Sequence, residues 1–137
     1  MNRSWKQAAV SYMLLLVMLI LTACSSGGPL SESSATEIAE NALVALSDGD
    51  YKAYTRDFGF MMKSVVTEEV FTSLHQEASQ NLGKFVSIDK VEKMPAETEG
   101  FDRWEFTCTF EKSKMRLALV FKQDGDKVEG LHFDEAN

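Results

Sequence analysis

Arg103-Trp104-Glu105-Phe106-Thr107-Cys108-Thr109-Phe110 is the stretch that decides the fold. Trp104, Phe106, Cys108 and Phe110 alternate with Arg103, Glu105, Thr107 and Thr109, and a period of two puts alternate side chains on opposite faces of a strand. After a short break the pattern returns. Met115, Leu117, Leu119 and Phe121 alternate with Arg116, Ala118, Val120 and Lys122. Two half-buried antiparallel strands are therefore predicted, and Cys108 shares the buried face with Trp104 and Phe106, where a thiol is inert. A strand over residues 84 to 94, ending before Pro95, precedes them. A last strand over residues 127 to 134 follows Asp124-Gly125, the favoured dipeptide of a two-residue hairpin turn.

Upstream the period is helical. Ala35, Ile38, Ala39, Ala42, Leu43 and Leu46 mark one face of a helix over residues 35 to 47, between the cap candidates Ser33 and Ser34 and the stop signal Ser47-Asp48-Gly49. A shorter helix starts at Asp50, with Tyr51, Tyr54 and Phe58 on one side; Met61, Met62, Val65 and Val66 continue the apolar content after Gly59. A third starts near Thr67, carries Val70, Phe71, Leu74, Ala78 and Leu82 on one side, and closes at Asn81-Leu82-Gly83. Helices followed by a four-stranded meander, without a β-α-β crossover, define an α+β domain with the helices packed on one sheet face. Its extent is residues 35 to 137.

The register of the last strand is open on sequence alone. A two-residue turn at Asp124-Gly125 pairs Phe121 with Val128, which puts Val128, Gly130 and His132 on the inner face. Leu131 and Phe133 then join Ala118 and Val120 in an exposed apolar patch, the basis for a homodimer. A β-bulge at Gly130 instead turns Leu131 and Phe133 into the core, and no patch exists.

Ahead of the domain, Arg3 and Lys6 precede an uncharged apolar run over residues 8 to 22, the n-region and h-region of a signal peptide over residues 1 to 23. The run ends in Leu21-Thr22-Ala23-Cys24, which resembles the bacterial lipobox at all four positions and marks Cys24 for lipidation. A spanning helix is the competing reading, but the run is shorter than the roughly 20 residues a bilayer core requires. Residues 24 to 34, rich in Ser and Gly, read as a flexible tether. The expected location is the extracytoplasmic face of the cell membrane, or the outer membrane if the host has one.

Cleavage before Cys24 leaves 12 Lys+Arg against 21 Asp+Glu, a net charge of -9. Such a surface repels phosphate backbones, so nucleic acid is not expected as a partner, and the lipid alone holds the chain to the membrane. With Cys24 acylated, Cys108 has no disulfide partner in the chain.

Ala42-Leu43-Val44-Ala45-Leu46-Ser47-Asp48-Gly49-Asp50-Tyr51-Lys52-Ala53-Tyr54, then Asp57-Phe58, Met62-Lys63 and Gly130-Leu131-His132-Phe133, resemble an uncharacterised prokaryotic lipoprotein family. That family is a domain of unknown function within the nuclear transport factor 2-like (cystatin-like) superfamily, and the resemblance spans residues 35 to 134. It implies a curved sheet wrapped by helices into a cone, often with an apolar pocket inside and often dimeric through the outer sheet face. Gly59-Phe60 departs from the acidic or polar residues expected after the Asp-Phe pair, which bears on the pocket mouth.

Within such a cone the candidate pocket residues are Tyr54, Asp57, Phe58, Met62, Phe71 and Trp104, beside Leu74 and Phe106; plain core packing is the bland alternative. Asp57 lies one helical step off the Tyr54/Phe58 stripe, and a carboxylate at an apolar edge is a general-base candidate with Tyr54 as donor, by analogy with ketosteroid isomerases of the superfamily. Against it stands a solvated surface acid. His75 and His132 lack companions at metal-ligand spacing, and Asp48-Gly49-Asp50 and Asp124-Gly125-Asp126 lack a calcium loop's remaining ligands. No metal, cofactor or defined catalytic set is expected. The function expected is a non-enzymatic domain binding a small apolar ligand, a peptide or an envelope protein; the alternative is a small isomerase- or hydrolase-like pocket enzyme.

Overall fold

The computed structural model describes residues 28–136, so the leader, the lipobox and Cys24 lie outside the described residues. The order is α1 (Glu32–Asp48), α2 (Tyr51–Tyr54), α3 (Phe60–Val65), α4 (Glu68–Asn81), β1 (Phe85–Met94), β2 (Phe101–Phe110), β3 (Lys114–Lys122) and β4 (Val128–Glu135). The strands form one antiparallel sheet in the order β1-β2-β3-β4. This is the α+β architecture read from the two periodicities.

α1 starts three residues earlier than expected. Ser31, not Ser33 or Ser34, is its cap: the Ser31 Oγ accepts from the Ser34 N–H at 3.1 Å, so regular structure begins ahead of residue 35. Gly49 ends α1 at φ +72 and Asp50 caps α2 by accepting from the Ala53 N–H, so Asp48-Gly49-Asp50 is a helix-to-helix turn. α2 is a single turn that stops at Tyr54. Phe58 lies beyond it in a parallel bridge to Val128, fixed by Gly59 N–H donating to the Val128 carbonyl at 2.8 Å and Val128 N–H to the Asp57 carbonyl at 2.9 Å. α3 is a helix the periodicity did not separate, because only Met62 of its residues packs inward.

Ala35, Ala39, Ala42, Leu43 and Leu46 of α1 meet Trp104, Phe106, Cys108, Phe110, Leu117, Leu119 and Phe121 in one core, with Phe71 of α4 behind Tyr54. Phe106, Cys108, Leu119, Phe121 and Val128 are fully buried. α4 is latched to the end of α1 by His75, whose Nδ1–H donates to the Leu46 carbonyl at 2.6 Å. β1 carries two irregularities, in which Val86 and Asp89 are surplus residues against β2. Each tightens the local bend of the sheet.

The last strand resolves the open register. Phe121 does pair with Val128, but Val120 pairs with Gly130, so Glu129 is the extra residue of a bulge. Leu131 and Phe133 therefore lie opposite Leu119 and Leu117 and pack on the core, Phe133 making an edge contact with Phe110 at 5.9 Å. The exposed Leu131/Phe133 patch does not form, which removes the premise of the homodimer. The connection is also longer than a two-residue turn: β3 ends at Lys122, β4 resumes at Val128, and Gly125 does not take the positive φ that a type I′ turn demands.

Candidate functional site

Tyr54, Phe58 and Phe71 do come together. The Tyr54 ring lies 5.1 Å from Phe58 and 4.9 Å from Phe71, and all three are buried. Met62 packs half-buried against this cluster's surroundings, while Trp104 stands on β2 with the Lys93 Nζ 5.6 Å over its ring. Burial pushes the Tyr54 phenol up to about 12, so it stays protonated. The apolar space between the helices and the inner face of the sheet is about 40 Å³, lined by Ala42, Leu43, Leu46, Tyr54, Leu74, Leu117, Leu131 and Phe133. Pockets for small molecules run roughly 300 to 1,000 Å³, so these side chains fill the interior against one another.

Asp57 is not turned into that space. Its carboxylate accepts from Arg56 Nη2 at 2.8 Å and from Arg56 Nε, and stands 3.4 Å from Asn41 Nδ2, whose main bond is to the Ala53 carbonyl at 2.8 Å. Asn41 thereby ties α1 to the α2 turn, and Asp57 closes the same junction. Its partners are a guanidinium and an amide at the surface, not Tyr54. Cys108 is fully buried on the inner face, and burial pushes its thiol up to about 12, with the Asp89 charge adding to the shift. Among the described residues no group of three or more His, Cys, Asp or Glu gathers to hold a metal ion.

The larger concavity is on the outer face. About 650 Å³ opens between the β1–β2 hairpin and β4, lined by Ala96, Glu97, Thr98, Phe101, Arg103, Val120, Glu129, His132 and Asp134. Sheet register explains its composition. Arg103 pairs with Val120 and Val120 with Gly130, while His132 and Asp134 lie opposite Ala118 and Arg116, so all of them project to the outer face. Glycine at 130 lets Val120 lie close, since a Cβ there would stand 3.3 Å from the Val120 Cβ. Arg103 is the central cation: its Nη2 donates to Glu105 Oε1 at 2.7 Å and its Nη1 lies 3.8 Å from Glu97 Oε1, while its Nε is buried without a partner. His132 Nε2 stands 2.9 Å from Asp134 Oδ1. Phe101 and Val120 supply an apolar floor and Glu97, Glu129 and Asp134 an acidic rim.

These cleft residues were not among the sequence candidates. Their signal was the polar half of the strand alternation, which reads as solvated surface until the bulge at Glu129 and the hairpin at residues 95 to 100 wall it in.

An α1–α4 layer on a four-stranded meander, with a filled interior and an open outer cleft, defines a small α+β domain of the helices-then-sheet class. The chain belongs to the family described as "Protein of unknown function (DUF3887)", which matches residues 39–131. The fold is similar to the NMR structure of a protein from Ruminococcus gnavus ATCC 29149, at 14% sequence identity and a TM-score of 0.59 over 78% of this chain and 92% of that one. No curated protein matches the chain.

Proposed function

We propose that this chain is a lipid-anchored lipoprotein domain of the cell envelope, built as a nuclear transport factor 2-like cone, that binds a basic segment of another envelope protein in the cleft around Arg103. The carrying observation is the contrast between about 650 Å³ of space on the outer face and about 40 Å³ inside. Among the described residues the apolar space behind Tyr54 is too small for a small apolar ligand, whereas an extended peptide fits an open groove with an apolar floor and a polar rim. Charge selects the peptide. Glu97, Glu129 and Asp134 outnumber Arg103 on the lining, and Glu97, 91% exposed and only 3.8 Å from Arg103 Nη1 at the edge of an ion pair, is placed to meet a Lys or Arg as well. The placement rests on Leu21-Thr22-Ala23-Cys24 following an apolar leader, with the first helix beginning only eight residues after the cysteine.

Two measurements test the two halves separately. Mass analysis of protein from native membranes is expected to find residues 1 to 23 removed and a diacylglyceryl thioether on Cys24; an unmodified sulfur with the leader attached defeats the anchor. Titration with arrays of basic and acidic dodecapeptides is expected to show binding by the basic set, weakened about tenfold per lost charge-assisted contact in Glu129→Gln and Asp134→Asn. Equal binding of both sets, or indifference to these substitutions, defeats the cleft.

A further inference from the structure

α3 exposes what a soluble surface ordinarily hides. Phe60 is 84% exposed, Met61 64% and Val65 61%, all within one six-residue helix. At 100° per residue, Phe60, Ser64, Met61 and Val65 fall on one contiguous arc of the helix, and Met62 points the other way into the core. Ser64 does not break that arc electrostatically, because its hydroxyl donates to the Met61 carbonyl at 2.7 Å. Lys63 is the single charge carried between Phe58 and Val66, with the Glu129 carboxylate over Gly59 at the root of the segment. The helix is also held firmly at its root, by the Gly59–Val128 and Asp57–Val128 backbone bonds and by the Tyr51 hydroxyl donating to the Val66 carbonyl at 2.9 Å. An exposed apolar face on a rigid support is a contact surface rather than a loose end.

Chain length says what it meets. From Cys24 to Glu32 an extended chain spans at most about 26 to 29 Å. α1 then rises about 14 Å to Asn41, which stands beside Asp57, three residues before Phe60. The start of α3 is therefore within reach of the bilayer that would hold a lipid on Cys24. We propose that α3 is a membrane-contact helix, which seats Phe60, Met61 and Val65 in the headgroup and acyl boundary and fixes the orientation of the domain on its own membrane. This rests on the anchor reading above. Because the domain is strongly acidic, the contact is apolar in character and favours a zwitterionic surface, Lys63 lying at the edge of the inserted face.

The test uses the full lipidated chain in phosphatidylcholine vesicles. A nitroxide is placed at Met61→Cys, with a control at Val86→Cys, which is 59% exposed at the opposite end of the sheet; Cys108 is buried and does not label. The ratio of oxygen to nickel-chelate accessibility is expected to be several-fold higher at 61 than at 86, and to fall to the control value when Phe60→Ser and Val65→Ser are added. These exposed positions leave folding unaffected. If the protein floats with the vesicles, its mass shows the lipid, and position 61 is as aqueous as 86, the contact is refuted while the anchor stands. Spin–spin broadening at 61 assigns the face to a second copy and refutes it equally. A lipid-free Cys24 removes the anchor and this proposal together.

Discussion

Deleting Glu129 and deleting His132 are both one-residue losses from β4, but they are expected to differ by several kcal/mol. Glu129 is the surplus residue of the bulge. Without it Val128 still faces Phe121, Gly130 still faces Val120, and Leu131 and Phe133 keep their inward positions opposite Leu119 and Leu117. No core contact is lost, and the expected cost is about 1 kcal/mol or less. Removing His132 instead flips everything after Leu131. Phe133, half-buried, turns outward and forfeits roughly 1 kcal/mol of burial. Its edge contact with Phe110 is worth about 0.5 to 1.5 kcal/mol more. Asp134 is driven toward the inner face opposite Leu117, at about 1 to 3 kcal/mol. The total is about 3 to 5 kcal/mol, a large share of what a domain of this size possesses. Urea unfolding of the chain from Gly28 onward, read by Trp104 fluorescence, measures both; with m near 2 kcal/mol/M the His132 deletion lowers the midpoint by about 2 M. Equal losses, or a larger loss for the Glu129 deletion, refute the bulge assignment.

Stability is expected to fall in alkali. Burial raises the Cys108 thiol from 9.0 to about 12 and the Tyr54 phenol from 10.0 to about 12, so the unfolded chain releases these protons first. The contribution is fully present below pH 9 and is lost between pH 9 and 12, at up to about 1.4 kcal/mol per pH unit per group. Denaturation midpoints of Cys108→Ala and Tyr54→Phe, each compared with the parent across that range, should be flatter; identical slopes contradict this. Phe106→Ala, at a fully buried position central to the sheet, is expected to cost about 3 to 5 kcal/mol in the same urea assay. Gly49→Ala, at φ +72 with the His75 ring 3.0 Å from the new Cβ, is expected to cost about 1 kcal/mol, part of it recovered in a His75→Ala background.

How much of this was legible depended on whether a residue obeyed one periodicity. β2 and β3 alternate without interruption, so their faces could be read directly, and the α1 stripe likewise. β1 could be delimited but not oriented: its inward residues are Phe85, Ile88, Val91 and Lys93, because two surplus residues shift the phase. Glycine at 130 signalled the bulge, yet nothing local could choose it over the unbulged register; burial of Leu131 and Phe133 against β3 made the choice. The aromatic cluster of Tyr54, Phe58 and Phe71 was visible as spacing. Whether it enclosed a pocket depended on side-chain volumes from five elements at once, and they fill it. Asp57 was read as one helical step off the stripe, but the helix ends at Tyr54, and its adjacent neighbour Arg56 and the distant Asn41 decide where its carboxylate points. The outer cleft was invisible because its walls come from a hairpin and a bulge, neither of which has a repeating signature.

Glu129 lies at a crossroads. Its carboxylate covers Gly59 so closely that a Cβ there would stand 2.7 Å from it, and the same residue lines the outer cleft. Gly59 is the residue from which α3 springs. One side chain thus belongs to two surfaces, walling the groove on one side and screening the backbone that opens the exposed helix on the other.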